Sequence, residues 1–196
     1  NWTNHPVILD GDVQQDAVRD NNAYHVVKGN GYCRLDGFVV RNGYANLSGE
    51  ETYGGGIYLS WSPMQIRNCR IENNYALKYG GGAYVVNNVS VFTACEFLNN
   101  QSGSEGGGIT CSGNFTNGIF GCRFAGNTAG SHAGAIYCFN NPTWIQQCTF
   151  ITNRAAQNGG AIYHNSASAT GVVEQSSFLG NMAGAQGGGG AYVSDL

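Results

Sequence analysis

Charged residues are scarce in this chain. Asp, Glu, Lys and Arg make up 11% of its 196 residues, the formal net charge is −3, and lysine occurs only as Lys28 and Lys78. A protein that binds nucleic acid needs a concentrated basic surface, which this composition does not supply. The sequence also lacks any run of 18 apolar residues, so it predicts no membrane span. We therefore expect neither a nucleic-acid partner nor a membrane-spanning segment.

The patterns of several common repeat folds are absent as well. No stretch has apolar residues at alternating intervals of three and four, as an amphipathic helix requires. The chain also has 31 glycines, and each glycine inside a helix would reduce the stability of that helix by about 1 kcal/mol. The leucine framework of leucine-rich repeats is missing, and so are the Trp-Asp signals and the roughly 40-residue period of propeller blades. These absences favour a solenoid made of short strands.

What the sequence does contain is a phrase that returns about every 26 residues. Gly-Gly-Gly-Ile-Tyr at 54–58 comes back in five related copies, whose fifth positions are 84, 110, 137, 163 and 192. A fixed period of this size is typical of stacked repeats. Apolar residues alternate within short runs such as Ile57-Tyr58-Leu59, which indicates strands. We predict an all-β parallel β-helix (β-solenoid) with about 26 residues and three short strands per coil.

A second phrase runs in phase with the first. In four copies a Cys is followed two positions later by an apolar residue and three positions after that by an Asn; in a fifth copy Ser176 takes the place of the Cys. Stacking would turn these positions into ladders, with the apolar ones facing the core. The ladders are Cys69, Cys95, Cys122 and Cys148; Phe97, Phe124, Phe150 and Phe178; and Asn74, Asn100, Asn127, Asn153 and Asn181. We expect the Asn amides to bond from coil to coil at a corner; the alternative is a polar binding strip.

The stacked cysteines can be interpreted as thiols or as disulfides. Neighbouring coils would place their Cα atoms about 4.8 Å apart, which a disulfide allows. Parallel Cβ vectors would keep the Cβ atoms at about that distance too, longer than the ~3.8 Å that a disulfide prefers. We favour buried free thiols, with disulfides as the alternative. The chain has no C-x-x-C pair and no histidines grouped with the thiols, which disfavours a metal site.

Residues 1–53 lack the glycine phrase and carry a resemblance of their own. They contain the segments Pro-Val-Ile-Leu-Asp-Gly-Asp at 6–12, Tyr-His-Val-Val at 24–27 and Leu-Asp-Gly-Phe at 35–38. These resemble the first coils of bacterial secreted right-handed parallel β-helix repeat proteins. The pairing of Gly-Gly-Ala-Ile with Phe-x-x-Asn is similar to the repeats of polymorphic outer-membrane proteins, which are autotransporter adhesins. The resemblance implies a right-handed coil, which the general crossover preference also favours.

The same resemblance bears on organisation and role. We predict a single β-helix domain over 1–196, with irregular first coils at 1–53 and regular coils at 54–196, as a fragment of a longer solenoid. We expect an extracellular or cell-surface location and a structural or adhesive, non-enzymatic role, in which the solenoid presents a stacked Tyr and Asn surface. Because exposed strand edges are pairing templates, the alternative is that copies of the chain join end to end in a surface filament. A monodisperse monomer at high concentration would count against that alternative.

One outward column is the candidate binding surface. If Ile57 and Leu59 face the core, the residue between them faces outward. The column comprises Tyr58, Tyr84, Tyr137, Tyr163 and Tyr192, interrupted by Thr110, and we expect Trp61 and Trp144 in the following loop to extend it. Flat amphipathic rings could bind a cell-surface glycan or a protein. The alternative is that the rings only stabilise adjacent strands.

The carboxylates provide no catalytic residues that we can name. Pectate lyases and polygalacturonases are the rival β-helix class, but the acidic residues of the repeats fall at unmatched coil positions, with no pair spaced for glycoside hydrolysis. Polysaccharide binding or cleavage, with a groove outside this chain or only weakly marked in it, is the alternative function. The one acidic cluster, Asp10, Asp12 and Asp16, could offer oxygens to calcium or be a solvated loop. No other cofactor is predicted.

Overall fold

The chain is a parallel β-solenoid. The computed structural model describes residues 6–165, 171–184 and 187–194. In these residues each strand pairs in parallel with its copies one coil away, and the strands build four sheets. The two short 3-10 helices of the described part are Arg19–Asn21 and Gly49–Thr52. The predicted all-β stack of coils is therefore confirmed.

The four sheets are numbered here in the order in which a coil visits them. Sheet 1 contains Val27–Lys28, Ile57–Ser60, Ala83–Val86, Ile109–Ser112, Ile136–Phe139, Ile162–Asn165 and Ala191–Ser194. Sheet 2 contains Cys33–Asp36, Met64–Arg67, Val91–Thr93, Gly118–Phe120, Trp144–Gln146 and Val172–Glu174. Sheet 3 contains Val7–Asp10, Phe38–Arg41, Arg70–Glu72, Glu96–Leu98, Arg123–Ala125, Thr149–Ile151 and Ser177–Leu179. Sheet 4 contains Tyr44–Ala45, Tyr75–Ala76, Gln101–Ser102, Thr128–Ala129 and Arg154–Ala155.

The fourth sheet corrects the prediction of three strands per coil. Its strands are two residues long, such as Tyr75–Ala76, which pairs with Tyr44–Ala45 and Gln101–Ser102. The second residue of each pair is small and buried, so it closes the core at a corner. Two residues are too few to show an alternating pattern, and for that reason the sequence did not reveal this strand.

The first coils use the same sheets with longer connections. Val40 pairs with Ile71, and Tyr44 pairs with Tyr75, each 31 positions later. In the following coils the offset falls to 26, as for Ile57 and Ala83. Part of the extra length of the first coils is the 3-10 turn Gly49–Thr52. The first coils therefore differ from the later ones in loop length rather than in strand order.

The core is a set of vertical ladders. Phe97, Phe124 and Phe150 are fully buried, and the column including Phe178 has ring centroids 4.8, 5.2 and 4.8 Å apart with nearly parallel planes. Burial becomes incomplete in the last coil, where Phe178 is 38% exposed. The distances match one strand spacing, so each ring packs against its copies in the coils on either side.

The cysteines are free thiols. Six are buried and Cys33 is exposed. In the Cys ladder, the Cys95 thiol donates to the carbonyl oxygens of Ile66 and Thr93 at 3.5 and 3.4 Å. Cys138 lies outside this ladder, on a strand of sheet 1, and burial raises its pKa to about 12. Protonated thiols of this kind act as small apolar core residues with a weak donor.

The Asn ladder satisfies the corner between sheets 3 and 4. The Asn127 side chain donates to Asn153 Oδ1 at 2.9 Å and to the Phe97 carbonyl oxygen at 2.9 Å. Its Oδ1 accepts from the backbone N–H and the amide of Asn100, at 3.0 and 3.1 Å. The same pattern links Asn74 to Asn100 and Asn153 to Asn181. Buried amides that are bonded on every side stabilise the turn and leave nothing for a ligand.

Candidate binding face

The outer face of sheet 1 carries two interleaved columns of side chains. The outer column is the second residue of each sheet 1 strand: Lys28, Tyr58, Tyr84, Thr110, Tyr137, Tyr163 and Tyr192. The flanking column lies five positions earlier in each coil and contains Tyr53, Tyr79, Glu105 and His132. It is held by parallel bridges from Tyr53 to Tyr79 and from Tyr79 to Glu105, and by the hydrogen bond from Gly106 N to the His132 carbonyl oxygen, 3.0 Å.

The tyrosines of the outer column stack along the axis of the coil. Ring centroids lie 5.9 Å apart between Tyr58 and Tyr84, 5.5 Å between Tyr137 and Tyr163, and 5.1 Å between Tyr163 and Tyr192. Successive planes differ by 14° to 23°. The rings therefore lie one above another, with their faces directed along the solenoid and their edges toward its outside.

The flanking column covers much of these rings. Tyr53 stacks on Tyr84 of the next coil at 4.9 Å, and His132 stacks on Tyr163 of the next coil at 4.5 Å. Tyr84 and Tyr137 are half-buried. Tyr58 is only 4% exposed, because His25 stacks on its ring at 4.8 Å and Lys28 lies over it. Burial raises the pKa of Tyr84 to about 12. The sequence predicted an open stripe of rings; the structure shows a layered one with partly covered members.

The two tryptophans lie in different places. Trp61 follows the sheet 1 strand Ile57–Ser60, is 69% exposed and meets Phe115 edge to face at 6.2 Å. Trp144 begins a strand of sheet 2, and its Nε1 donates to Glu174 Oε1 at 3.1 Å. The expectation that Trp144 sits in the loop after the sheet 1 strand is therefore wrong. The strand begins directly at Trp144, three residues after the buried corner residue Asn141.

The acidic cluster is engaged within its own loop. Arg41 Nη2 lies 2.7 Å from Asp10 Oδ2. The Asp12 carboxylate accepts from the backbone N–H of Asp16 and Ala17, and the bonds from Val18 N–H and Asn21 lower the pKa of Asp16. Among the residues that the structure describes, no three His, Cys, Asp or Glu side chains are grouped to hold a metal. Calcium binding at this loop stays a prediction.

The sequence missed the flanking column. Tyr53 and Tyr79 are one repeat apart and precede Tyr58 and Tyr84 by the same five positions, so the period itself held the signal. Glu105 and His132 continue the column with other residue types, and this change of type hid it. The coil that contains Thr110 is also the coil that contains Glu105, so both columns lose their ring together.

With this geometry in place, the likeness to known proteins becomes specific. Residues 94–112, 121–138 and 147–168 match the model of the Chlamydia polymorphic membrane protein (Chlamydia_PMP) repeat. The chain is similar to polymorphic membrane proteins. Each matched segment begins at or next to a cysteine of the Cys ladder and runs through sheets 3 and 4 into sheet 1. The resemblance drawn from the Gly-Gly-Ala-Ile and Phe-x-x-Asn phrases is thus confirmed for three coils.

The polymorphic membrane protein match is accompanied by two negative findings. No curated protein and no solved structure matches the chain. Within residues 6–165, 171–184 and 187–194, no helix is both long and apolar enough to span a membrane. The repeat positions that carry the match are largely buried ladder residues, so the match describes the solenoid rather than a particular ligand.

Proposed function

We propose that this chain is part of an extracellular, surface-displayed adhesin: a non-enzymatic β-solenoid whose aromatic face on sheet 1 binds a cell-surface glycan or protein. The likeness to polymorphic membrane protein repeats supports a surface location. Stacked coils supply a stiff support, because each coil is hydrogen-bonded to the next along every sheet.

The observation that carries the proposal is the pair of aromatic columns outside the core. The interior ladders already fill the solenoid with fully buried Phe, Ile and Cys side chains. The rings outside it are additional, and the edges of Tyr84 and Tyr137 remain in contact with solvent. Tyrosine offers an apolar ring and a hydroxyl at low entropic cost, which suits the binding of sugars and of protein surfaces.

The asparagines are not part of this face. Asn74, Asn100, Asn127 and Asn153 are at most 1% exposed, and their amides are used within the corner. The expectation of a combined Tyr and Asn surface is therefore corrected to an aromatic surface alone. End-to-end association of copies stays a separate prediction.

The experiment that tests the proposal is adhesion of chain-coated beads to cultured epithelial cells. We expect the double variant Tyr84→Ser, Tyr137→Ser to lower bead binding at least about tenfold, because each removes an aromatic contact from the centre of the face. The matched control is Tyr32→Ser, which changes a tyrosine that is 92% exposed in the turn before sheet 2. Circular dichroism must show that all variants stay folded.

Treating the cells first with glycosidases or with proteases separates a glycan partner from a protein partner. Equal adhesion of the double variant and the parent chain would exclude the aromatic face as the binding surface.

A further inference from the structure

One coil of the aromatic face lacks a ring in both columns; the flanking column also lacks a ring at Asn158, but the outer column keeps Tyr163 in that coil. In the flanking column, the ring of one coil stacks on the outer-column ring of the next, as Tyr53 does on Tyr84 and His132 on Tyr163. By this rule Tyr79 would stack on position 110, and position 105 would stack on Tyr137. Both positions lack a ring, because they are Thr110 and Glu105.

A cleft of about 240 Å³ occupies the vacancy. Its floor is Thr110, which is 2% exposed, and the neighbouring Ser112. Tyr84 and Tyr79 form the side toward the first coil, and Tyr137 and Phe139 form the opposite side. The rings of Tyr137 and Phe139 are parallel within 4°. The cleft is therefore lined with aromatic rings on two sides and with hydroxyls at the bottom.

The distance between the two aromatic walls sets the size of the ligand that the cleft can hold. Tyr84 and Tyr137 are two coils apart, which is two strand spacings, or about 9.6 Å. A flat ring in van der Waals contact with both walls would fill only about 7–8 Å. A rounded cation halfway between them would lie about 4.8 Å from each ring, within the ~6 Å reach of a cation–π contact. Tyrosine rings elsewhere in the column stack at 5.1 to 5.9 Å, so the space accepts a flat ring or a rounded cation, and the choice between them rests on charge.

Glu105 gives the cleft a negative neighbour without a partner. Its Oε2 is buried and accepts no hydrogen bond, and it takes part in none of the ion pairs among the described residues. Glu105 follows Tyr79 in the flanking column, to which it is joined by a parallel bridge. Burial first, and then the charge of Glu105, raise the pKa of both Tyr79 and Tyr137. A buried carboxylate oxygen without a partner calls for a cation or a donor.

The same face already binds an alkylammonium group of its own. The Nζ of Lys28 lies 5.3 Å from the centroid of the Tyr58 ring, and it is 3.0 Å from Glu50 Oε2. At this end of the outer column the Lys28 ammonium therefore lies between a tyrosine face and the Glu50 carboxylate. The cleft offers the tyrosine faces and the carboxylate, and it leaves the ammonium position open.

We propose that the cleft binds a quaternary alkylammonium group of the choline type, held between Tyr84 and Tyr137 with Glu105 balancing its charge. This inference names a ligand for the proposed adhesive face and rests on that function only for its biological use. Four aromatic side chains line the cleft and would form an aromatic cage around a cation, with Glu105 behind the lining rather than in it. Cation–π attraction in such a cage strengthens as the cation loses water.

Titration of the folded chain with choline chloride, followed by NMR and calorimetry, tests the proposal. We expect saturable binding with a Kd of about 1 mM. The neutral isostere 3,3-dimethylbutan-1-ol has the same shape without the charge, and it should bind at least about tenfold more weakly. Equal binding of the two compounds would overturn the cage, because it would reveal a merely apolar cleft.

Three variants locate the site. Thr110→Tyr places the ring of the other coils in the vacancy and should abolish choline binding. Glu105→Gln should weaken binding about tenfold, since one charge contact is lost. The matched control Thr110→Ser keeps a hydroxyl that can donate to the Glu105 carbonyl oxygen, a 3.1 Å bond in the parent chain, and should bind choline as the parent does. Undiminished binding by Thr110→Tyr would also overturn the proposal.

Two further arms identify the source of the ammonium group. Binding to phosphatidylcholine vesicles but not to phosphatidylglycerol vesicles would assign a lipid headgroup, whereas binding of choline alone would assign a soluble or carrier-attached choline; either outcome supports the cage. No cell is present in the titration. Absence of choline binding therefore refutes the cage alone, while the bead assay decides the adhesive role independently.

Discussion

The interior ladders and the outer columns obey the same 26-residue period with different strictness. Inside, Phe97, Phe124 and Phe150 follow one another without a break, and the Asn ladder is equally continuous. Outside, the tyrosines are interrupted at Thr110. A missing ring in the core would leave a cavity, whereas solvent or a ligand can fill one on the surface. The Phe and Asn ladders are therefore strict, whereas the inward column of sheet 1 changes between apolar types, as from Leu59 to Val85 to Cys111, and the outer column loses its ring altogether.

Among the changes considered, a substitution at the centre of the Phe ladder should destabilise the protein most. We expect Phe124→Ala to cost about 3–5 kcal/mol of the free energy of unfolding, because the side chain is fully buried between two rings and a cavity would remain. Urea unfolding followed by circular dichroism measures the loss. Phe178→Ala is the control, and it should cost clearly less because Phe178 is 38% exposed. Equal losses would mean that interior coils are no better packed than the last one.

The Asn ladder offers a second, smaller disruption. Asn127→Ala removes the acceptor for two Asn100 donors and the donor to the Phe97 carbonyl oxygen. Buried polar groups without partners cost about 1–3 kcal/mol each, so we expect a total loss of about 3 kcal/mol in the same urea experiment. The exposed Asn114→Ala should change the free energy of unfolding by less than about 0.5 kcal/mol. A loss no larger than that of the control would contradict a structural ladder.

These two ladders also show what the sequence could predict. Their period, their inward direction and the coil-to-coil amides follow from stacking alone, since identical side chains at a fixed spacing must meet. The two-residue strands of sheet 4 and the flanking column could not be predicted in the same way. The sheet 4 strands are too short to give a periodic signal. The flanking column changes from Tyr79 to Glu105 to His132, so its shared position does not stand out as one repeated residue type.

The Cys ladder permits a milder change. Its fifth position is Ser176, whose hydroxyl accepts from the Cys148 backbone N–H at 3.1 Å and donates to the Glu174 carbonyl oxygen at 2.9 Å. A serine at an interior position can therefore make the bonds that the thiol makes. We expect Cys122→Ser to cost about 1 kcal/mol, the price of burying a more polar group that still finds partners. Urea unfolding under reducing conditions provides the measurement, with Cys33→Ser at the exposed thiol as the control.

A much larger loss from Cys122→Ser than from Cys33→Ser, on the scale expected for Phe124→Ala, would show that the ladder needs sulfur itself. A loss that is small under reducing conditions and grows when reductant is omitted would instead indicate a disulfide, because only the parent chain could then form the bridge.

The smallest change in stability is expected when a ring is added to the outer column at position 110. Thr110→Tyr gives this coil the residue found at 58, 84, 137, 163 and 192, and the new ring can stack between Tyr84 and Tyr137. Cross-strand aromatic pairs contribute about 0.2–1 kcal/mol each, but the buried hydroxyl of Thr110 loses its bond to the Glu105 carbonyl oxygen. We therefore expect a net change within about 1 kcal/mol, in either direction, in thermal and urea unfolding. A net change that small would favour a guest over packing as the reason why both columns of this coil lack a ring. A loss above about 3 kcal/mol would instead show that position 110 cannot accept a ring, and the open cleft would then need no ligand to explain it.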